Sequence, residues 1–310
     1  MNPEIFNQEL LLTRVDFDRE QKPRLKFTNP ATGEILNWQP QFEENITLEI
    51  DLTQRFCCGW HSLETGEDFV CPDNCQLDKK YDTCQKCQAR TGFNPAFYNA
   101  AESDISQQQV ERNLQPHFVY LAYFTDEMIK VGISFAGRGM ARLLEQGARA
   151  ALILGEFSSA NIARNYEEKI SKMAGFCENV KAGAKLKALE KPFNFEKAAQ
   201  TLLVAQRNIE QSLNTKFENN SPILLDKFYS QIGEIPHGEM ISAQDLPQNS
   251  DQKLIFSGKL KSQIGYILIA EQQGEFITIP LRKFTGYKIR LSPELTTLEL
   301  PARQASLFGF

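Results

Sequence analysis

Apolar and polar positions change rhythm several times along the chain. Residues 24–28 and 46–52 alternate with the period of a half-buried strand, and Asn29, Pro30 and Gly33 between them are turn formers. Residues 57–100 lose that rhythm and are rich in Asp, Asn, Gly and Gln. Two strand-like runs follow, 118–124 (FVYLAYF) and 128–134 (MIKVGIS), separated by Thr125, Asp126 and Glu127 as in a hairpin. Residues 138–148 space their apolar positions as a short amphipathic helix that Gly147 would stop. A third strand over 151–157 leads to Ser158 and Ser159, N-cap residues for a helix over about 162–173. The order between 116 and 192 is therefore β-β-α-β-α. Farther on, Ala198, Leu202, Val204, Ile209 and Leu213 form the stripe of a helix over 195–217. A polar linker, 236–252, precedes strands at 253–260, 266–272 and 275–282, with Gln273-Gly274 as a hairpin turn and 287–291 as a further strand.

These patterns predict an α+β protein. Its parts are a β-rich N-terminal domain with a cysteine segment over 1–115, the β-β-α-β-α domain over 116–192 and a helical segment over 193–235. A small antiparallel β domain follows over 253–300, then a tail over 301–310. The chain has 310 residues, 42% of them apolar, so a substantial core needs no disulfides. The longest apolar runs fall short of membrane-spanning length. The start, Met1-Asn2-Pro3-Glu4, lacks a basic stretch followed by an apolar one, and a cytoplasmic protein is expected.

Six of the seven cysteines fall between Cys57 and Cys87. An odd number in a cytoplasmic chain argues against a disulfide framework, and the clustering points to a metal. Cys84-Gln85-Lys86-Cys87 has the spacing that lets two thiolates reach one tetrahedral ion, and zinc suits such soft donors. Cys57 and Cys71, each at a tight turn, are the favoured completion. Cys58 and Cys75 can replace either, and His61 is a lesser candidate. The segment is too polar to hold itself together, so the zinc is expected to be structural.

The formal net charge is −5, yet residues 112–191 carry 12 Lys and Arg against 8 Asp and Glu, a local +4. The middle of the chain can meet a polyanion while its flanks repel one. Within that middle, Phe118-Val119-Tyr120, then Lys130-Val131-Gly132-Ile133-Ser134, then Arg142 and Glu167 resemble the core of the GIY-YIG nuclease superfamily. Runs VYLAYF, KVGIS and RLLEQGA are more similar still to a bacterial family that joins such a core to a preceding cysteine cluster. The resemblance implies that Tyr120 helps activate water, that Lys130 and Arg142 stabilise charge, and that Glu167 holds one Mg²⁺ for phosphodiester cleavage in DNA. Arg138 competes with Arg142 for its role and Glu168 with Glu167. The four groups are expected on one concave face. Phe118 stands where the family has Gly and Lys130 where it usually has Tyr, and its final Asn has no match here; a non-catalytic nucleic-acid-binding or protein-interaction module on the same scaffold is the alternative.

The tail Gln304-Ala305-Ser306-Leu307-Phe308 is similar to the short peptide by which bacterial DNA polymerases and repair proteins bind the replicative sliding clamp. Leu307 and Phe308 would fill an apolar pocket while the Gln304 amide bonds at its rim. The implied role is in DNA repair or replication.

Overall fold

Residues 117–124 are all buried, so the strand that contains them needs a cover on both faces. The computed structural model, which describes residues 5–301 apart from 79, 95, 96, 98–104, 231, 236 and 248–251, supplies one on each side. Strands His117–Thr125 and Met128–Phe135 form the expected hairpin. They sit in a five-stranded sheet of order Phe176–Cys177, Met128–Phe135, His117–Thr125, Ala150–Phe157, Ile223–Leu224.

Six helices are described: α1 (Gln85–Thr91), α2 (Gln107–Asn113), α3 (Gly139–Gln146), α4 (Ala160–Ser171), α5 (Ala182–Leu189) and α6 (Phe195–Leu213). Ser159 caps α4 through a side chain that accepts from the Ile162 N–H. Gly147 ends α3 in the left-handed conformation, the stop expected of it. Helix α6 stops at Leu213 rather than near 217, because Asn214 takes up the left-handed conformation and caps it. Its inward stripe is Ala198, Leu202, Ala205, Gln206 and Ile209, and Val204 faces solvent.

Alternation along His117–Thr125 separates two cores. Val119, Leu121 and Tyr123 pack with Ala163 and Ile170 of α4 and with Ala198, Leu202 and Ile209 of α6. Phe118, Tyr120, Ala122 and Phe124 pack with Leu143 and Leu144 of α3, Ala188 and Leu189 of α5, and Ile264, Ile267 and Ile269. Those last three belong to a second, nine-stranded sheet. Buried Tyr229 bridges toward α3, its hydroxyl 3.1 Å from the Leu144 carbonyl and 3.0 Å from that of Ala148.

The nine strands run Ile241–Ser242, Glu275–Pro280, Ile267–Gln272, Lys253–Ile264, Asn45–Asp51, Lys288–Ser292, Glu9–Phe17, Pro23–Thr28, Ile35–Trp38. This sheet joins what the sequence divides. Lys253–Ile264 pairs with Asn45–Asp51, and Lys288–Ser292 lies between Asn45–Asp51 and Glu9–Phe17 and pairs with both. The expected β domain over 253–300 is therefore continuous with the N-terminal strands, whose backbone edges it completes. The turn near Gly33 likewise leads to Ile35–Trp38, a strand absent from the sequence expectation.

Leu291 is fully buried in that inserted strand. Leu291→Ala should cost about 2–5 kcal/mol. Because the strand bridges both ends of the chain, fluorescence of Trp38 and far-UV circular dichroism should lose signal in one shared denaturant transition. Two separate transitions would show that the ends fold independently.

Candidate metal centre and cationic cluster

The cysteine segment is held by short pieces of backbone pairing. Arg55–Phe56 pairs with Gln76–Leu77, and Trp60–His61 with Asp68–Phe69. Gly59 has φ near +83°, and a β-carbon there would lie 2.0 Å from the Phe69 carbonyl oxygen, so this turn requires glycine. The turn presents Cys57. Cys84 is the N-cap residue of α1, and Cys87, fully buried, follows within its first turn.

The thiols of Cys57, Cys71, Cys84 and Cys87 all lie within 4.8 Å of one another. Cys71 Sγ is 3.9 Å from Cys84 Sγ, and the Cys84 N–H donates to Cys57 Sγ at 3.2 Å. A tetrahedron with metal–sulfur bonds of about 2.3 Å has sulfur–sulfur edges of about 3.8 Å, so the spacing fits one ion. Burial pushes the Cys57 thiol up to about 11 and Cys87 well up. Burial alone would raise Cys84 too, but donors from Cys87 and Cys57 bring it down to about 7. Thiols this close resist joint ionisation, and a divalent cation removes that resistance. The four cysteines can hold a metal ion.

The alternatives sit outside that set. Cys58 Sγ faces the Leu12 carbonyl at 3.9 Å, and burial pushes its thiol up to about 12. Cys75 borders the cluster through Cys84 and Cys71. His61 Nδ1 is 2.9 Å from Asp68, which also pairs with Arg14 at 3.1 Å and with Lys26.

In the central sheet, Tyr120 lies opposite Gly132 and Lys130 opposite Ala122, which puts both side chains on the α3 and α5 face. A β-carbon at Gly132 would come 2.5 Å from Tyr120 Oη, so the glycine makes room for the ring. Tyr120 Oη and Arg142 Nε are both buried; the phenol lies against the Arg142 side chain, and neither atom makes a well-formed hydrogen bond among the described residues. Burial raises the Tyr120 phenol, and the neighbouring Arg142 guanidinium opposes that rise. Lys130 Nζ donates to the Glu178 carbonyl, and burial with Arg142 lowers it.

Glu167 comes from the other side. Its helix, α4, packs through Ala163 and Ile170 on the face opposite Tyr120, so the four groups do not share one face. The charge of Glu167 still reaches both Tyr120 and Lys130. Burial raises its carboxyl, against the pull of Arg164, which pairs with it and with Glu178 at 3.2 Å. Arg138 pairs with Glu145 at 2.6 Å, and half-buried Glu168 with Lys172 at 2.7 Å.

Lys185 of α5 carries no signal in the sequence. Its Nζ donates to the Gln146 carbonyl at 2.5 Å, between the rings of Phe124 and Tyr266 at 5.4 and 4.7 Å. Burial, with Lys130, Arg282 and Arg142, lowers it to about 7. Lys130, Arg142 and Lys185 thus form a cationic cluster, with Arg138 and Arg282 around it.

A family model described as "Protein of unknown function (DUF2797)" matches residues 45–289, most of the chain. The protein belongs to the DUF2797 family. The matched span contains the four clustered cysteines, the cationic cluster and Glu167, and it stops short of Gln304, Leu307 and Phe308. Those three tail residues lie outside the described residues. No curated protein and no solved structure matches the chain. Among the described residues, no helix of this DUF2797 protein is long and apolar enough to cross a membrane.

The buried lysine has a signed consequence. An unfolded Lys titrates at about 10.4, against about 7 for folded Lys185, so between these values the unfolded chain binds the extra proton. The contribution of Lys185 to stability therefore rises with pH across that window and is unfavourable below it. Lys185→Met should raise the melting temperature at pH 7 and narrow its lead over the native chain toward pH 9. Melting curves that differ by a constant at every pH would refute this.

Proposed function

We propose that this protein binds nucleic acid by seating a phosphate group against Arg142, Lys130 and Tyr120, with a zinc ion stapling its cysteine segment. The observation that carries this reading is the pair of buried groups, Tyr120 Oη and Arg142 Nε, without partners inside a cationic cluster. Buried polar groups are rarely left unpaired, and an anion with several acceptor oxygens satisfies both. The GIY-YIG-like motif supports the same ligand class. Zinc is favoured over other metals by four soft thiolates at tetrahedral spacing.

A second reading, Mg²⁺-dependent cleavage of the bound phosphodiester, is favoured by the charge of Glu167 acting on both Tyr120 and Lys130. Glu167 is the group to hold the ion, and Arg164 must then release it. Binding without catalysis ranks first because Arg164 occupies that carboxylate. Recruitment to the sliding clamp through Gln304, Leu307 and Phe308 belongs to the same proposal and rests on the tail sequence.

Metal analysis of the purified protein should find one zinc per chain, and Cys87→Ser should abolish it and destabilise the protein, since structural zinc contributes folding free energy directly. Metal-free protein that unfolds at the same temperature would remove the zinc staple.

Fluorescence anisotropy with labelled DNA should show affinity that falls steeply with salt. Arg142→Gln should weaken it about tenfold, the loss of one charge-assisted contact. An unchanged Arg142→Gln affinity would sink the phosphate seat. In the same preparations, plasmid nicking with Mg²⁺ that disappears in Glu167→Gln would promote the catalytic reading to first place.

A further inference from the structure

We infer that the cationic cluster selects a terminal phosphate, the monoester at a nucleic-acid strand end, over an internal phosphodiester, and that Lys185 is the residue that makes the distinction. The inference rests on the phosphate-binding reading above and goes further in naming the kind of phosphate.

Elsewhere, buried cations meet carboxylates: Arg55 pairs with Asp82, Lys261 with Glu43 at 2.9 Å, and half-buried Arg149 with Asp226 at 2.6 Å. Lys130 and Lys185 are both buried, and among the described residues their ammonium groups donate only to the backbone carbonyls of Glu178 and Gln146, with the charges of Glu167 and Glu178 acting on Lys130 from farther off. The side chains acting on Lys185 are Lys130, Arg282 and Arg142, all cations. Nearby acids are already engaged, Glu167 and Glu178 by Arg164 and Glu145 by Arg138, with Arg142 3.7 Å from Glu145.

Such an arrangement is costly in the free protein, because buried charges are stable only when paired. An internal phosphodiester brings one negative charge, which the seat of Arg142, Lys130 and Tyr120 already matches and which leaves Lys185 unanswered. A terminal phosphate carries about −1.5 to −2 at pH 7 and three acceptor oxygens. That second charge answers the second buried cation. Arg142, with 28% of its side chain exposed, is the group an incoming phosphate meets first, and Tyr120 Oη and Arg142 Nε are donors waiting behind it.

The test compares one short single-stranded DNA bearing a 5′-phosphate, a 3′-phosphate or hydroxyls at both ends, by anisotropy with full-length native protein. At least one phosphorylated form should bind about tenfold more tightly than the hydroxyl form, as an added charge-assisted contact does. Lys185→Met keeps a long apolar stem between Phe124 and Tyr266. It should abolish that preference while leaving affinity for the hydroxyl form within about twofold, since the internal phosphodiester seat stays intact. Equal binding of all three forms by the native chain would overturn the inference and leave nucleic-acid binding standing. A preference that survives Lys185→Met would overturn the role of Lys185. Competition by inorganic phosphate or a 5′-mononucleotide as strong as by the phosphorylated strand would assign the site to free phosphomonoesters instead. Absence of binding by every form would overturn the underlying reading as well.

Discussion

Burial of residues 117–124 on both faces is the constraint from which the architecture follows. A strand with no solvent-facing side cannot sit at the surface of a two-layer unit. One face takes α4 and α6. The other takes α3 and α5 and then, beyond them, Ile264, Ile267 and Ile269 of the large sheet. That large sheet is apolar on both faces here, since Leu268 and Ala270 turn into its own core. The two sheets therefore share a core, and Tyr120 and Lys185 lie within this shared layer.

The same interlocking governs the cysteine segment. It leaves the large sheet after Asn45–Asp51 and is pinned back onto it by backbone and side chain. The Phe56 N–H donates to the Gly286 carbonyl at 2.7 Å, and Arg55 Nε donates to the Thr285 carbonyl at 2.9 Å. Cys57, the next residue, is thereby fixed relative to the sheet before any metal binds. Cys84 and Cys87 come from α1, which packs against the Trp60–His61 strand. An ion held by these residues would tie helix α1 to the sheet, so its effect would extend beyond the local turns.

How much of this was legible depends on how local each signal is. The hairpin strands, α3 with its Gly147 stop, and α4 with its Ser159 cap follow from periodicity and capping within a dozen residues. The cysteine set is nearly as local, because Cys84 and Cys87 share one turn and Cys57 and Cys71 each sit at a bend. The insertion of Lys288–Ser292 between Glu9–Phe17 and Asn45–Asp51 was not legible, since pairing over more than 230 residues leaves no trace in a local pattern. Lys185 was equally silent: no helix is expected around it, and nothing marks it out until Tyr266 and the end of α3 enclose it. Val204 errs in another way, since it belongs to an apolar stripe and faces solvent.

The formal charge of −5 does not count against an anionic partner, because charges act locally. Most acidic residues of the large sheet are matched where they stand: Asp16 by Arg24 at 2.8 Å, Glu49 by Lys253 at 2.8 Å, Glu9 by Lys288 at 2.6 Å, and Glu43 by Lys259 and Lys261. Exposed charges farther than about 8 Å from a ligand are screened at physiological salt, whereas buried ones are screened much less. The charges of the sheet are therefore paired, whereas in the central domain buried Lys130 and Lys185 donate to backbone carbonyls and to no carboxylate among the described residues. What the acidic flanks contribute is restraint, since a chain with a net negative charge gains little from indiscriminate contact with nucleic acid. On the proposed reading, nucleic acid is confined to the place where buried Lys130 and Lys185 lack a carboxylate within hydrogen-bond reach among the described residues.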